Sequence, residues 1–269
     1  MAYIGGARVS GCVFCDRAQS DDDRASLILH RGERCFVIMN LYPYSTGHAM
    51  IVPYRHVADP EELPVETLCE MGELLPVCVS HARRTLGCEG FNIGMNLGNV
   101  AGAGIADHLH EHIVPRWVGD ANFMPILAST TVMPELLPTT YAKLRAEFER
   151  GQFDRLRLVV LDPDARRVLV DPRNHRFPGA LLKREEAAWR SGVEALREFG
   201  VLAHVVDWAG APSTRASKPA ALLMQSRSES VESPLAWIEI AELQSLPLDE
   251  ADREIAARLH DPALIAEPS

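Results

Sequence analysis

The segment His108-Leu109-His110-Glu111-His112 carries an imidazole at every second position. Side chains alternate along an extended strand, so the three histidines share one face, and Leu109, Glu111 and Ile113 share the other. Three groups that titrate near neutrality on one face suit two kinds of chemistry. They can bind a metal, or one of them can attack phosphorus and carry a covalent intermediate. A surface metal-affinity cluster is the plainer reading; strict alternation behind a small-residue loop, Gly98–Ile105, weighs against it. A second signal is Cys12-Val-Phe-Cys15, a CxxC knuckle. Its thiols fit a zinc site, a redox pair or a simple turn.

Together with FVIMNLYPYSTGHAMIVPYRHV and NLGNVAGAGIADHLHEHIVPRWVGDANFMP, the triad resembles the histidine-triad (HIT) superfamily. The elements AGAGI, PRW, GD and NF are most similar to its dinucleoside-tetraphosphate phosphorylase and hydrolase branch. The resemblance covers roughly residues 10–150. It implies that His110 is the nucleophile and forms a nucleotidyl-imidazole. It implies that His112 contacts phosphate oxygens and helps the leaving group, while His108 orients the site or binds metal. Asn40 would hold the ribose. Asn96 and the amides of Gly102, Ala103 and Gly104 would cradle phosphate, with glycine permitting close backbone approach. A homodimer is implied by the resemblance alone. Glu111 departs from the motif, which often has an apolar or neutral residue there; its charge is expected to face away from the nucleotide on a partly buried side.

The nucleophile needs a neutral nitrogen. A hydrogen bond from the other ring nitrogen of His110 to a backbone carbonyl would set that tautomer. Fixed donors around the phosphate would stabilise the charge of the transition state. Water or inorganic phosphate then resolves the intermediate, and the sequence leaves that choice open. No divalent metal is required, although Mg²⁺ can chelate the substrate polyphosphate. Diadenosine tetraphosphate is the favoured substrate. A biosynthetic nucleotidyltransferase using the same histidine, and a non-catalytic nucleotide sensor, are the alternatives.

Relatives in this superfamily, and galactose-1-phosphate uridylyltransferases, can bind zinc through a CxxC, a histidine after the third strand and the histidine two before the nucleophile. Cys12, Cys15, His56 and His108 stand at those positions. The resemblance thus implies a closed structural zinc site.

Further on, FPGALLKREEAAWRSGVEALREFGV resembles a Nudix box, and the likeness extends over about residues 153–262. Gly179, Glu185, Glu194 and Glu198 match, while Val193 replaces the arginine and Arg197 replaces the first glutamate of the pair. Glu194 and Glu198 are four apart and share a helix face. Mg²⁺ wants oxygen ligands at strict geometry, so Arg197 sets a fixed cation where a ligand belongs. Catalysis there is not expected.

The elements that must position these groups follow from patterning. Strands are expected at 26–30, 35–40, 48–53, 90–96 and 108–115, and a helix at 61–86 with a kink or break at Pro76. The second half gives strands at 155–161, 167–170, 201–208, 221–226 and 235–240, and helices over about 184–199 and 249–259. The fold class is α+β: an N-terminal HIT-like antiparallel sheet with helices over 1–150, and a C-terminal Nudix-like α/β/α domain over 151–269. A polar helical pattern at 139–151 sets the boundary near 148–153. The loop-like stretch Gly210–Lys218 follows from composition. His48, in the STGHAM run, reads as a structural residue of the third strand.

Composition narrows the function. The 269 residues carry a net charge of −10, which argues against non-specific nucleic-acid binding. No apolar run reaches the ~20 residues that span a bilayer, and the N-terminus lacks a signal-peptide pattern. All six cysteines fall in the first third. A reducing, cytoplasmic setting with thiols or a metal site is expected rather than disulfides.

Overall fold

The structure, a computed structural model, describes residues 11–120, 135–150, 153–210 and 220–260. The NF pair at 122–123 and residues 211–218 of the expected loop lie outside the described residues. The chain divides into two compact units, one drawn from Met1–Pro134 and the other from Glu135 onward.

Five strands build the first unit: β1 (Ile28–Arg31), β2 (Cys35–Met39), β3 (Ala49–Pro53), β4 (Gly90–Met95) and β5 (Glu111–Arg116). Their order is β1-β2-β3-β5-β4, antiparallel throughout. β2 and β3 are apolar and buried along their whole length because both faces are covered. Two short helices, α1 (Val13–Gln19) and α2 (Asp23–Ser26), lead into β1. The long helix α3 (Val65–Leu86) packs on β2, β3 and β5. Its buried residues Met71, Leu74, Cys78, Ala82 and Thr85 recur at three- and four-residue spacing, the stripe that an amphipathic helix turns to a sheet. The expected break at Pro76 does not occur. Pro76 and Gly72, whose carbonyl loses its donor, are both exposed, so water can satisfy that carbonyl.

Two polar clamps hold β1 in place, one tying the β1–β2 turn to α3 and the other tying the N-terminal helices to β1. The Glu70 carboxylate, on α3, accepts the backbone N–H groups of Glu33, Arg34 and Cys35 at 2.9, 2.8 and 3.4 Å. A Cβ on Gly32 would stand 2.1 Å from that carboxylate, so the turn needs glycine for close approach. The Arg31 guanidinium pairs with buried Asp23 at 2.7 Å and donates to the carbonyls of Ala18 and Ser20, both at 2.6 Å. It therefore ties the end of α1 to β1. Replacing Arg31 with methionine keeps the stem but strands the Asp23 charge. We expect a loss of about 3–5 kcal/mol in urea unfolding, partly recovered when Asp23 is also made leucine. A loss below about 1 kcal/mol for Arg31→Met would show that the clamp is not structural.

The second unit holds a six-stranded mixed sheet: β6 (Arg155–Leu161), β7 (Arg167–Val170), β8 (Gly179–Leu181), β9 (Ala203–Trp208), β10 (Ala221–Ser226) and β11 (Ala236–Glu239). The order is β11-β7-β6-β10-β9, with β8 also on β6; β10 runs parallel to β6. Helices α4 (Leu137–Glu149) and α5 (Ala188–Arg197) pack against each other. The last helix, α6 (Glu250–Arg258), buries Ile255 and Ala256 with Val159, Val168 and Leu223 in the unit's core. The division between the units falls ahead of the expected boundary at 148–153. The reason is α4: it packs on β9 and β10, and buries Tyr141, Leu144 and the Arg145–Glu149 pair.

Candidate active site

The fifth strand is shorter than its alternation predicts. It starts at Glu111, so His108, at a bend, and His110 stand in the irregular segment ahead of it and only His112 lies within it. That lead-in is held by the Leu109 N–H, which donates to the Val57 carbonyl at 2.6 Å. Leu109 and Ile113 are buried, as are His108 and His110, and Glu111 is half-buried, its carboxyl raised by desolvation.

Hydrogen bonds fix the tautomer of each ring. His110 Nδ1 lies 2.8 Å from its neighbour's carbonyl, His108 O. A carbonyl only accepts, so Nδ1 carries the proton and Nε2 keeps a lone pair. His108 Nε2 lies 2.8 Å from the Pro53 carbonyl, which leaves Nδ1 of His108 as its lone-pair nitrogen. His48 joins this row. Its Nδ1 accepts the Tyr44 backbone N–H at 3.1 Å, so its Nε2 bears the proton. That proton points to His112 Nδ1 at 2.9 Å, and His112 must then carry its own proton on Nε2. The arrangement offers a free imidazole lone pair on His110 and an N–H donor on His112, with the two rings 4.8 Å apart. A lone pair beside a donor can attack an electrophilic centre and protonate what leaves.

Burial keeps the row uncharged. Desolvation, helped by the nearby His110, pushes His112 down to about 4. Desolvation, with His112 and His110 adding to it, pushes His48 down to about 3. His110 is lowered by desolvation against the opposing effect of its bond to His108 O.

Sequence reading took His48 as structural and did not join it to the triad. The signal was register: Met50 pairs with His112, so even-numbered residues of β3 share the histidine face. It also missed Phe14. This ring, buried inside the CxxC knuckle, stands edge-on to His108 at 5.4 Å and tilted to His110 at 5.0 Å.

The knuckle meets the row at its other end. Cys12 Sγ and Cys15 Sγ lie 3.2 and 3.6 Å from His108 Nδ1, and Cys15 Sγ lies 3.4 Å from His56 Nδ1. The four donor atoms all fall within 4.8 Å of one another. Tetrahedral zinc, with bonds of about 2.0–2.3 Å, sets its ligand atoms roughly 3.3–3.8 Å apart. Two thiols and two imidazoles at these spacings could therefore hold zinc. The lone pair of His108 faces this cluster, as a ligand nitrogen must. All six cysteines are free.

Of the remaining expected residues, Asn40 adjoins the row: its Nδ2 lies 3.4 Å from His48 Nδ1 and its Oδ1 accepts the Tyr42 N–H at 2.9 Å. Asn96 and the Gly102–Gly104 loop make no hydrogen bond to the histidines among the described residues. The Gly102 amide instead closes a turn on Asn99 O at 3.1 Å. In the second unit, Lys183 Nζ stands 2.5 Å from Glu194 and 3.8 Å from Glu186, and it holds the Glu194 carboxyl below the ordinary range. An ammonium thus pairs with Glu194, one of the carboxylates that the Nudix likeness would offer to Mg²⁺.

The HIT domain family matches residues 23–118. An AP-4-A phosphorylase of Mycobacterium tuberculosis is 41% identical over 128 residues, 48% of this chain and 66% of that protein. The matched stretch thus spans just under two thirds of that relative's length. An uncharacterized HIT-like protein of Methanocaldococcus jannaschii is 30% identical over 109 residues, 40% of this chain and 81% of that one. A solved zinc-bound histidine triad family protein from Mycobacterium smegmatis aligns with 26% identity and a TM-score of 0.43, covering 52% of this chain and 95% of that one.

Proposed function

The chain belongs to the HIT family, and on that premise we propose that it cleaves dinucleoside polyphosphates, diadenosine tetraphosphate foremost, through a nucleotidyl-histidine. The observation that carries this reading is the His110 tautomer, with Nδ1 tied to His108 O and Nε2 left with its lone pair. Likeness to the AP-4-A phosphorylase supports the choice of substrate and of phosphate as acceptor.

His110 Nε2 attacks the phosphorus next to one nucleoside. The N–P bond forms as the P–O bond to the remaining polyphosphate breaks, and the His112 Nε2 proton accompanies the leaving oxygen. Phosphate oxygen then attacks the same phosphorus and displaces His110, so AMP leaves as ADP and the other product is ATP. Water in place of phosphate gives AMP and ATP. Asn40 holds the ribose; Asn96 and the amides of Ala103 and Gly104 line the phosphates, with Gly102, its own amide bonded to Asn99 O, shaping the turn that presents them. Mg²⁺ enters only as counterion to the substrate polyphosphate.

Cys12, Cys15, His56 and His108 hold structural zinc, which supplies a cross-link between knuckle and lead-in segment. The second unit is Nudix-like, and with Lys183 on its carboxylates it is not a catalyst. A homodimer is proposed on the edge strand β4, which leaves Ile93 45% exposed. The setting is cytoplasmic, with neither nucleic acid nor membrane as partner. No helix among the described residues is long and apolar enough to cross a membrane.

Product analysis tests the reading. Diadenosine tetraphosphate is supplied with and without inorganic phosphate. Phosphate-dependent ADP identifies a phosphorylase, AMP plus ATP without phosphate identifies a hydrolase, and no turnover in either condition removes the proposal.

Rate should also resist acid. A free histidine protonates near 6.5. The folded row is held below that, so kcat/KM for the first step should show no acid limb at 6.5, any fall coming at lower pH. Stability runs the same way: the unfolded chain takes up protons first, so the row's contribution is complete above 6.5 and is lost as pH falls towards 4. A limb at 6.5 in rates measured from pH 8 to 4.5 would contradict the neutral row.

A further inference from the structure

Tyr44 is a large ring left 58% exposed at the end of the histidine row. Its centroid lies 4.8 Å from the His48 ring and 6.0 Å from the His112 ring, tilted by 37° and 32°. The order along the row is His110, His112, His48, Tyr44.

The loop that carries this ring is pinned by the site itself. Tyr44 N–H donates to His48 Nδ1, Tyr42 N–H donates to Asn40 Oδ1, and Asn40 N–H closes the loop on the His48 carbonyl at 2.9 Å. Pro43 fixes one backbone angle just before it. An exposed ring is commonly mobile; this one is held against two site histidines with much of its surface open. Its backbone makes the bond to His48, so any residue at 44 could set that tautomer. The ring is not needed for it.

The proposed reaction gives the ring a use. Displacement at phosphorus is in line, so the leaving oxygen stands opposite His110 Nε2 and away from the strand. His112 Nε2–H meets that oxygen. The departing polyphosphate therefore runs outward past His112, whose ring centroid lies 6.0 Å from that of Tyr44. At its far end it carries a second nucleobase.

We propose that Tyr44 is the stacking platform for the nucleobase of the leaving nucleotide, so that the site selects substrates with an aromatic base at both ends. This rests on the dinucleoside polyphosphate reading above. Every base has a π-face, so such a platform selects for a base without choosing which one.

The test compares diadenosine tetraphosphate with adenosine 5′-tetraphosphate, which offers the same adenylyl group and a polyphosphate leaving group without the second base. The wild type, Tyr44→Phe and Tyr44→Leu are each assayed for kcat/KM on both. The wild type is expected to favour the dinucleoside by roughly 5- to 100-fold, the range that one base–aromatic stack supplies. Tyr44→Phe keeps the preference. Tyr44→Leu, which keeps apolar bulk against His48, brings the dinucleoside down to the level of adenosine tetraphosphate, so that the ratio of the two kcat/KM values falls to about one. Equal losses on both substrates would make Tyr44 a packing residue and overturn the platform. A wild type without preference overturns it too. A wild type that turns over neither substrate overturns the underlying reading, and the platform with it.

Discussion

Replacing His110 with alanine is expected to lower turnover of diadenosine tetraphosphate by about 10⁴-fold or more, because it removes the imidazole on which the proposed covalent intermediate forms. His112, His48 and Asn40 remain, so nucleotide should still bind. The ring is buried beside Phe14, and alanine leaves a hole there. Asparagine separates that packing loss from the chemistry. Its amide can keep a donor near His108 O, where Nδ1–H now sits, but it has nothing at the position of Nε2. His110→Asn should therefore be as inactive as His110→Ala while unfolding closer to the wild type. A second readout is the intermediate itself. Wild-type protein quenched during turnover of labelled substrate should carry the nucleotide on an acid-labile N–P bond, and both variants should carry none. Activity within tenfold of the wild type in either variant would mean that the nucleophile lies elsewhere.

Sequence patterning reached the strands that local signals specify. Arg155–Leu161, Arg167–Val170 and Ala221–Ser226 begin and end where their β-branched and aliphatic runs do. It failed where tertiary context decides. The stretch 139–151 looked like the end of the first unit by its polarity. Its buried charges, Arg145 with Glu149, and Glu147 accepting the Ala188 N–H, only make sense once β9 and α5 are packed against it. The three-residue strand β8 has too little pattern to detect. Pro76 looked like a breaker because sequence does not reveal that the affected turn faces water.

The candidate site divides along the same line. Local spacing exposed the triad and the CxxC knuckle, since those ligands are neighbours in the chain. His48 lies 64 residues from His112, and only the β3–β5 register brings the rings within 2.9 Å. A lone histidine in an apolar strand has no local mark of that partnership. The carboxylates of the second unit show the converse. Glu194 and Glu198 were legible by spacing, but the pairing of Glu194 with Lys183, eleven residues away, was not.

If the knuckle holds zinc as proposed, Cys15→Ala should cost the first unit both that metal and a large part of its stability. Structural zinc contributes about 10–16 kcal/mol in isolated fingers, where it is the whole fold. Here the sheet, α3 and the Arg31 clamp persist without it, so the loss is smaller. A fall in Tm on the order of 10 °C is expected. Activity should fall with it. The knuckle holds Phe14 against His108 and His110, and His108 supplies the carbonyl that sets the His110 tautomer. Releasing one end frees both constraints. Chelator applied to the wild type should reproduce the shift in Tm, and the same chelator should do nothing further to Cys15→Ala. Cys69→Ala, at an exposed position outside the cluster, should keep its metal and its Tm. Acid should release the metal as well, since thiolates and neutral imidazoles are the binding forms. Much less than one zinc per chain in wild-type protein never exposed to chelator would remove the cross-link from the fold, and Phe14 would then have to be held by the apolar cluster of Ile28, Phe36, Ile38, Met50 and Val52 alone.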